Sequence, residues 1–149
     1  MSLGASYLLN VGPDASGVIT AEYADRLLRV AEWYNRMEGC LECACEDPFD
    51  YGVLRYPCNV NRKNGKTYFH FYQGIDSSAV VLKHYPSVPK GIRLMNTGAS
   101  LSFDLTYLPD SFDGRPESAE NRRLHIFGID VDALETEPIV IEITWESEN

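Results

Sequence analysis

Closely spaced aspartates are the first residues in this 149-residue sequence whose types and spacing could carry chemistry. Two neighbouring carboxylates can share acid–base work or help to hold a calcium ion. The pairs are Asp47 with Asp50, Asp110 with Asp113, and Asp130 with Asp132. Each lies in a turn-like or exposed stretch where solvated carboxylates are the norm, and the oxygen-rich spacing of a calcium loop is missing. We expect none of the pairs to be catalytic or to bind metal.

The four cysteines are crowded, since Cys40, Cys43 and Cys45 fall within six residues and Cys58 follows thirteen residues later. A zinc site is one interpretation, although the two paired knuckles of a zinc ribbon are absent. A disulfide from Cys58 to one of the other three is a second, if the protein is exported. The third is that the thiols pack as small hydrophobic groups where a helix meets a sheet.

The three histidines, His70, His84 and His125, are predicted to lie on separate strands. A general base needs a nucleophile within hydrogen-bond reach, and no serine or cysteine stands in a recognisable nucleophile turn. We therefore interpret the histidines as packing or surface groups.

The element that precedes these residues is the segment Tyr7 to Ile19, YLLNVGPDASGVI, followed by the amphipathic run TAEYADRLLRVAEWYNRM. Its apolar start lacks in/out alternation, which is typical of a parallel strand covered on both faces. Thr20 is placed to cap the helix that follows, and Gly39 to end it. No other strand–helix repeat is present, so the rest of such a sheet is missing from the chain.

The segment YLLNVGPDASGVI, its helix, and the later stretches KGIRLMNTGASLSF and EPIVIEITWE resemble the C-terminal end of family 29 glycoside hydrolases, the α-L-fucosidases. The resemblance implies a (β/α)8 catalytic barrel that ends in an LLNxGP strand and a last helix, followed by a β-sandwich. It implies a retaining hydrolase acting on a fucosylated glycan, with no cofactor and no metal.

The resemblance also implies that the catalytic residues lie on earlier barrel strands, which would precede Met1. No catalytic residue can be assigned in this chain, and we expect it to be inactive alone. Because the carboxyl ends of barrel strands form the active-site face, Asn10 and Asp14 would lie at the pocket rim of the complete enzyme. Both residue types are also ordinary turn formers, so a structural role is the alternative.

Beyond the helix, the hydrophobic period changes to two and predicts strands separated by turn signals. Asn64-Gly65 predicts a type I′ hairpin, and residues 106–121 predict a long surface loop. The predicted strands are Val53–Tyr56, the two flanks of Asn64-Gly65, Ala79–Lys83, Ile92–Asn96, Leu101–Leu105, Arg123–Phe127 and Ile139–Trp145. The fold class is therefore mainly β, an antiparallel β-sandwich preceded by one strand–helix unit left from a barrel. The predicted division is 1–39 for that unit, 40–52 for a connector and 53–149 for the sandwich.

An independent carbohydrate-binding or protein-interaction module is the alternative function. If Phe69 and Phe71 point into the core, Tyr68, His70 and Tyr72 share the outer face, where Tyr68 and Tyr72 could form a sugar platform. The other interpretation is that these aromatics serve cross-strand packing.

A net charge of −9 argues against nucleic-acid binding, and no apolar run is long enough to cross a membrane. The expected partner is the upstream catalytic barrel of the same polypeptide, and the orphan strand and helix should pair with the sandwich, self-associate or stay loosely ordered. No signal peptide is present, so the localisation stays open, although the parent would be an exported or periplasmic protein.

Overall fold

The fold was analysed in a computed structural model that describes residues 8–37, 39–42, 44–52, 55–83, 87–107, 122–134 and 137–146. These residues contain one α-helix, α1 (Ala21–Arg36), and eight β-strands. The strands are β1 (Ala44–Glu46), β2 (Asn59–Lys63), β3 (Lys66–Phe71), β4 (Ala79–Lys83), β5 (Pro89–Leu94), β6 (Ser102–Tyr107), β7 (Arg122–Phe127) and β8 (Ile139–Trp145). Short 3₁₀ turns cover Pro48–Tyr51 and Asp132–Leu134.

The strands form two antiparallel sheets. The larger sheet has the order β1-β2-β3-β8-β5, and the smaller has the order β4-β7-β6. Alternate residues of the two sheets face each other in one hydrophobic core. The predicted fold class, a mainly β antiparallel sandwich with one preceding helix, is confirmed.

Strand β8 is an interior strand of the larger sheet, because it pairs with β3 on one side and β5 on the other. The predicted alternation along it is correct for Ile139, Ile141 and Ile143, which are buried in the main core. The opposite face is also covered, since Val140 and Glu142 are buried as well. The larger sheet is therefore packed on both faces.

The predicted hairpin is confirmed, with Asn64 and Gly65 at positive φ of 53° and 74° between β2 and β3. The predicted connector contributes a strand that the sequence did not indicate, because Ala44–Glu46 pairs with β2 at the sheet edge. Of the predicted strand Val53–Tyr56, the first two residues lie outside the described residues and the last two form a bend. Most of the predicted 106–121 loop also lies outside them, and its first two residues belong to β6.

The helix begins after Thr20 as the sequence predicts and ends at Arg36, three residues before the predicted stop at Gly39, which has a φ of 73°. The capping prediction is wrong in its detail, because the Thr20 side chain makes no hydrogen bond to the helix N-terminus. The first turn is instead tied by an exposed ion pair between Glu22 and Arg26, with 2.6 Å between the charged atoms.

The predicted strand before the helix is not formed. Leu8 to Pro13 have no strand pairing, and the Leu8 side chain is 89% exposed. A parallel strand of this kind needs hydrogen-bonded neighbours on both sides and helices on both faces. The described part of the chain supplies neither the neighbouring strands nor helices on both faces. The segment therefore does not form a strand, although its sequence is apolar.

Candidate functional site

The turn after the predicted barrel strand is built around Asp14. Its Oδ1 accepts hydrogen bonds from the Ser16 amide (2.8 Å), the Ser16 hydroxyl (2.6 Å) and the Val18 amide (3.0 Å). These bonds, the Ser16 hydroxyl first, hold the pKa of Asp14 below its ordinary value. The carboxylate is thus ionised and closes its own turn, while Asn10 is exposed four residues earlier.

A second hydrophobic cluster joins the end of the helix to the outer face of the larger sheet. Its buried members are Met37, Cys40, Tyr68, Met95 and Val140, and Trp33 and Leu41 pack partly against it. An ion pair of 2.9 Å between Arg36 and Glu137 lies at the same junction. The last turn of α1 is therefore anchored to the sandwich, although no residue within the helix itself is buried.

Because the end of the helix packs on the sandwich, the two predicted platform tyrosines differ in their exposure to solvent. Tyr68 is only 7% exposed, because the second cluster covers it. A sugar ring cannot stack on Tyr68 in this arrangement, whereas Tyr72 is 50% exposed just after β3. The structure does not bring the two rings together on one open surface.

Tyr72 instead lines an open cleft of about 1000 Å³ at one end of the sandwich. Three parts of the chain line it, namely 55–57 before β2, 72–76 after β3 and, before β8, residues 131–134 with 137–139. The side chains of Arg55, Tyr56 and Asp76 form a hydrogen-bonded group on its wall. Sequence reasoning missed this cleft, because its residues come from three segments that only the fold brings together.

Large apolar side chains are exposed mainly at the start of the described chain. Seven of them precede the end of α1, and we call these the N-terminal apolar side chains. They are Leu8, Leu9, Val18, Ile19, Tyr23, Leu28 and Val30. Tyr23 and Val30 share a helical face with half-buried Leu27, as their spacing requires. Such a concentration of exposed apolar groups is typical of an interaction surface.

The three histidines have different environments in the fold. His70 is 4% exposed on β3, between Asn59 of β2 and Val140 of β8. Burial lowers the pKa of His70 to about 4, and its Nε2 has no hydrogen-bond partner among the described residues. His125 is exposed on β7, and His84 lies outside the described residues. His70 is therefore a neutral packing group at neutral pH.

The cysteines are spread over different parts of the fold. Cys40 is buried in the second cluster, Cys58 is buried in the main core, and Cys45 is exposed on the edge strand β1. Burial raises the pKa of the Cys58 thiol to about 12, so this group is an unreactive thiol at neutral pH. No disulfide joins these three residues to one another, and Cys43 lies outside the described residues.

Two of the three aspartate pairs lie in or beside turns, as the sequence predicts. Asp47 and Asp50 belong to the first 3₁₀ turn region, and Asp130 and Asp132 to the second, while Asp110 and Asp113 lie outside the described residues. Within the described ranges, no three histidine, cysteine or acidic side chains are grouped in a way that could hold a metal ion. The described helix is also too short and too polar to cross a membrane.

Comparison with solved structures finds the same fold in several α-L-fucosidases. An α-fucosidase of Thermotoga maritima matches 96% of this chain, with 21% identity and a TM-score of 0.54. An α-L-fucosidase from Vibrio sp. strain EJY3 matches 99%, with 17% identity and a TM-score of 0.69. A family 29 α-L-fucosidase from Bacteroides thetaiotaomicron matches 92%, with 19% identity and a TM-score of 0.57.

This chain shares its fold with part of the α-L-fucosidases. It spans 31% of the Thermotoga, 24% of the Vibrio and 27% of the Bacteroides chain, so more than two thirds of each has no counterpart in it. No protein-family model matches the sequence, and no curated protein matches it significantly. The resemblance given by the sequence motifs is confirmed at the level of the fold.

Proposed function

We propose that this chain is the C-terminal part of an α-L-fucosidase-like retaining glycoside hydrolase, whose catalytic barrel lies upstream in the same polypeptide. Residues 1–39 would complete that barrel, and residues 53–149 would form the sandwich. Residues 40–52 would connect the two. The single observation that carries the proposal is the set of N-terminal apolar side chains. They are exposed in the segment whose sequence matches the end of a barrel, while the sandwich core is closed.

The energetics support a missing neighbour for this segment. Leu28 is 63% exposed and Val30 is 50% exposed on a helix that contacts the sandwich only at its end. Burying a side chain of this size stabilises a structure by about 1.5–3 kcal/mol. Covering Val30, which shares a face with Tyr23 and Leu27, would therefore contribute on the order of 1 kcal/mol, in proportion to its exposed fraction. Leu28 lies on another side of the helix and would need a separate contact.

The unpaired segment Leu8 to Pro13 supports the same proposal. Its apolar sequence has the composition of a strand buried on both faces, and the described residues leave it without a partner strand. An upstream barrel strand would supply the missing hydrogen bonds. In that setting Asn10 and Asp14 would lie near the sugar, with Asp14 acting mainly to hold its turn because its Oδ1 already accepts three hydrogen bonds.

The sandwich would serve as a buttress for the barrel. A retaining glycosidase needs two carboxyl groups about 5–5.5 Å apart, one as nucleophile and one as acid/base. The most buried carboxylate described, Glu142, is instead paired with Lys66 at 3.0 Å and with Arg93 at 3.3 Å. Two cations on the outer face of a sheet give this carboxylate a structural role, so we expect the isolated chain to be inactive.

The test compares hydrolysis of an aryl α-L-fucoside by this chain and by an upstream-extended version of the same polypeptide. We expect activity in the extended protein only. Hydrolysis by this chain alone would overturn the assignment of chemistry to the upstream part. An extended protein that is folded but does not cleave the fucoside would overturn the substrate assignment.

A substitution tests the proposed contact between the helix and the barrel. Val30→Lys in the extended protein should lower its melting temperature, because a charge would be buried against the barrel. Val81→Lys is the matched control, since Val81 is an exposed valine on β4 of the sandwich. Equal melting temperatures for the two variants would contradict a buried helix face.

An independent carbohydrate-binding role is the alternative function. The observation that favours it is the open cleft at Tyr72, whose walls combine aromatic and polar side chains.

A further inference from the structure

We propose that the cleft between segments 55–57, 72–76, 131–134 and 137–139 binds a neutral oligosaccharide. This site would belong to the sandwich itself, and it does not depend on whether an upstream barrel hydrolyses fucosides.

The shape of the cleft fits a small oligosaccharide. Its volume of about 1000 Å³ lies at the upper end of the range of about 300–1,000 Å³ for small-molecule sites. Its apolar lining residues, Ile75, Val131, Leu134 and Ile139, also belong to the main core or pack against it. A lining that is continuous with the core is held in place before a ligand arrives, which lowers the cost of binding.

Two tyrosines line the cleft, and Arg55 lies over the ring of Tyr56, with its Cζ 5.1 Å from the ring centroid. Tyr56 is held edge-on against Phe71 of the core, with ring centroids 6.4 Å apart and planes at 87°. Tyr72 has no such ring contact among the described residues and is half exposed. An accessible aromatic ring in a polar cleft offers its face to the C–H surface of a sugar ring, and burying that face is favourable.

The wall next to these rings carries a fixed carboxylate. Asp76 Oδ1 accepts hydrogen bonds from the Tyr56 hydroxyl and from Arg55 Nη2, the latter at 3.1 Å. The Tyr56 hydrogen bond is the main reason that the pKa of Asp76 lies below its ordinary value. Both side-chain hydrogen bonds end on Oδ1, and an ionised carboxylate has about four acceptor positions, so the group can also accept from a sugar hydroxyl. The Asp76 side chain is 74% exposed and therefore within reach of a ligand.

The balance of charge in the cleft argues against an anionic ligand. Arg55 is paired with Asp76, and Glu137 is paired with Arg36 at 2.9 Å and accepts a hydrogen bond from Asn96 at 2.9 Å. Asp132 adds one further negative charge at the rim. For a phosphate or an acidic sugar, the Arg55 cation is already paired with Asp76, and the Asp132 carboxylate would repel the ligand. An uncharged polar ligand does not need an unpaired cation and is not repelled by the carboxylate.

The experiment is an NMR titration of the isotope-labelled chain with lactose and with fucosyllactose, beside sialyllactose and a tetralysine peptide. We expect the two neutral sugars to shift the amide signals of residues 72–76 and 131–134, with a Kd near about 1 mM. The acidic sugar and the cationic peptide should bind at least about tenfold more weakly. Because lactose carries no fucose, its binding can succeed even where the proposed fucosidase function fails.

Two variants with matched controls locate the site. Asp76→Asn keeps the shape of the side chain and should weaken sugar binding about tenfold or more, since a hydrogen bond to a charged acceptor is lost. Tyr72→Ala should weaken it by between about twofold and tenfold. The controls are Asp25→Asn and Tyr23→Ala, which change the same residue types at exposed positions of α1. They should leave binding unchanged.

Three outcomes would overturn the proposal. One is that neither neutral sugar shifts the cleft signals at concentrations up to about 10 mM. Another is that both cleft variants bind as tightly as the unaltered chain. The third is that sialyllactose or the tetralysine peptide binds in the cleft more tightly than lactose, which would assign it to a charged ligand or a protein partner.

Discussion

His70 is expected to make the stability of this chain fall in mildly acidic solution. It is buried on the outer face of the larger sheet, and burial lowers its pKa from the ordinary value of 6.5 to about 4. The unfolded chain therefore takes up a proton at a higher pH than the folded one. The stabilisation is fully present above about pH 6.5, is lost as the pH falls, and levels off below about pH 4.

The size of the effect follows from the separation of the two pKa values. Each unit corresponds to about 1.4 kcal/mol, so the full loss is on the order of 3 kcal/mol. Linkage gives a loss of about 1 kcal/mol at about pH 5.5 and between about 2 and 3 kcal/mol at about pH 4.5. A loss of this size is a substantial part of the stability of a small domain.

The assay is urea unfolding of the chain and of its His70→Gln variant across this pH range. Carboxylates also titrate in the lower part of the range, so the informative quantity is the difference between the two free energies of unfolding. That difference should shrink as the pH falls, because the variant has no imidazole to protonate. His125→Gln, at an exposed position on β7, is the control and should keep the full pH dependence. Parallel curves for the chain and for His70→Gln would refute the reasoning.

Three further predictions concern packing and assembly. Gly52→Ala should lower the free energy of unfolding by at least about 1–3 kcal/mol in urea unfolding, since the φ of Gly52 is +60° and a new Cβ would lie 2.5 Å from Lys83 Cβ. Gly12→Ala, with open space around it, should cost far less. Ile141→Ala should cost about 2–5 kcal/mol in the same assay, because it opens a cavity in an interior strand, and a loss below about 1 kcal/mol would contradict the described core. The isolated chain should self-associate in sedimentation velocity through the exposed helix face of Tyr23, Leu27 and Val30. Val30→Lys should weaken that association at least about tenfold, whereas a monomeric unaltered chain at high concentration would contradict the prediction.

The sandwich was predictable because its signals are local. The alternation along β8 and the type I′ turn at Asn64-Gly65 each depend on neighbouring residues, and both are found in the structure. The start of the helix after Thr20 follows from the same kind of signal. Even the edge strand β1 obeys local pairing rules, but its three residues are too few to give a recognisable period.

The sequence failed where the outcome depends on a distant partner. The segment after Tyr7 has the composition of a buried strand, yet no other strand pairs with it in the described residues. Tyr68 was expected on an open face, but the end of α1 and the residues Met37 and Cys40 that follow it pack against Tyr68 and cover it. A period of two identifies opposite faces of a strand, but it does not say which face another element will cover.

The sequence by itself determined the strand and turn pattern, the amphipathic helix and the likeness to part of an α-L-fucosidase, because each depends on residues that are close together in the chain. Only the tertiary structure decided that both faces of the larger sheet are buried and that the N-terminal apolar side chains stay exposed. It alone brought Tyr72 and Asp76 of one loop together with Asp132 of another in one cleft. Burial and proximity depend on contacts between residues far apart in the chain, and such contacts exist only once the sheets have packed.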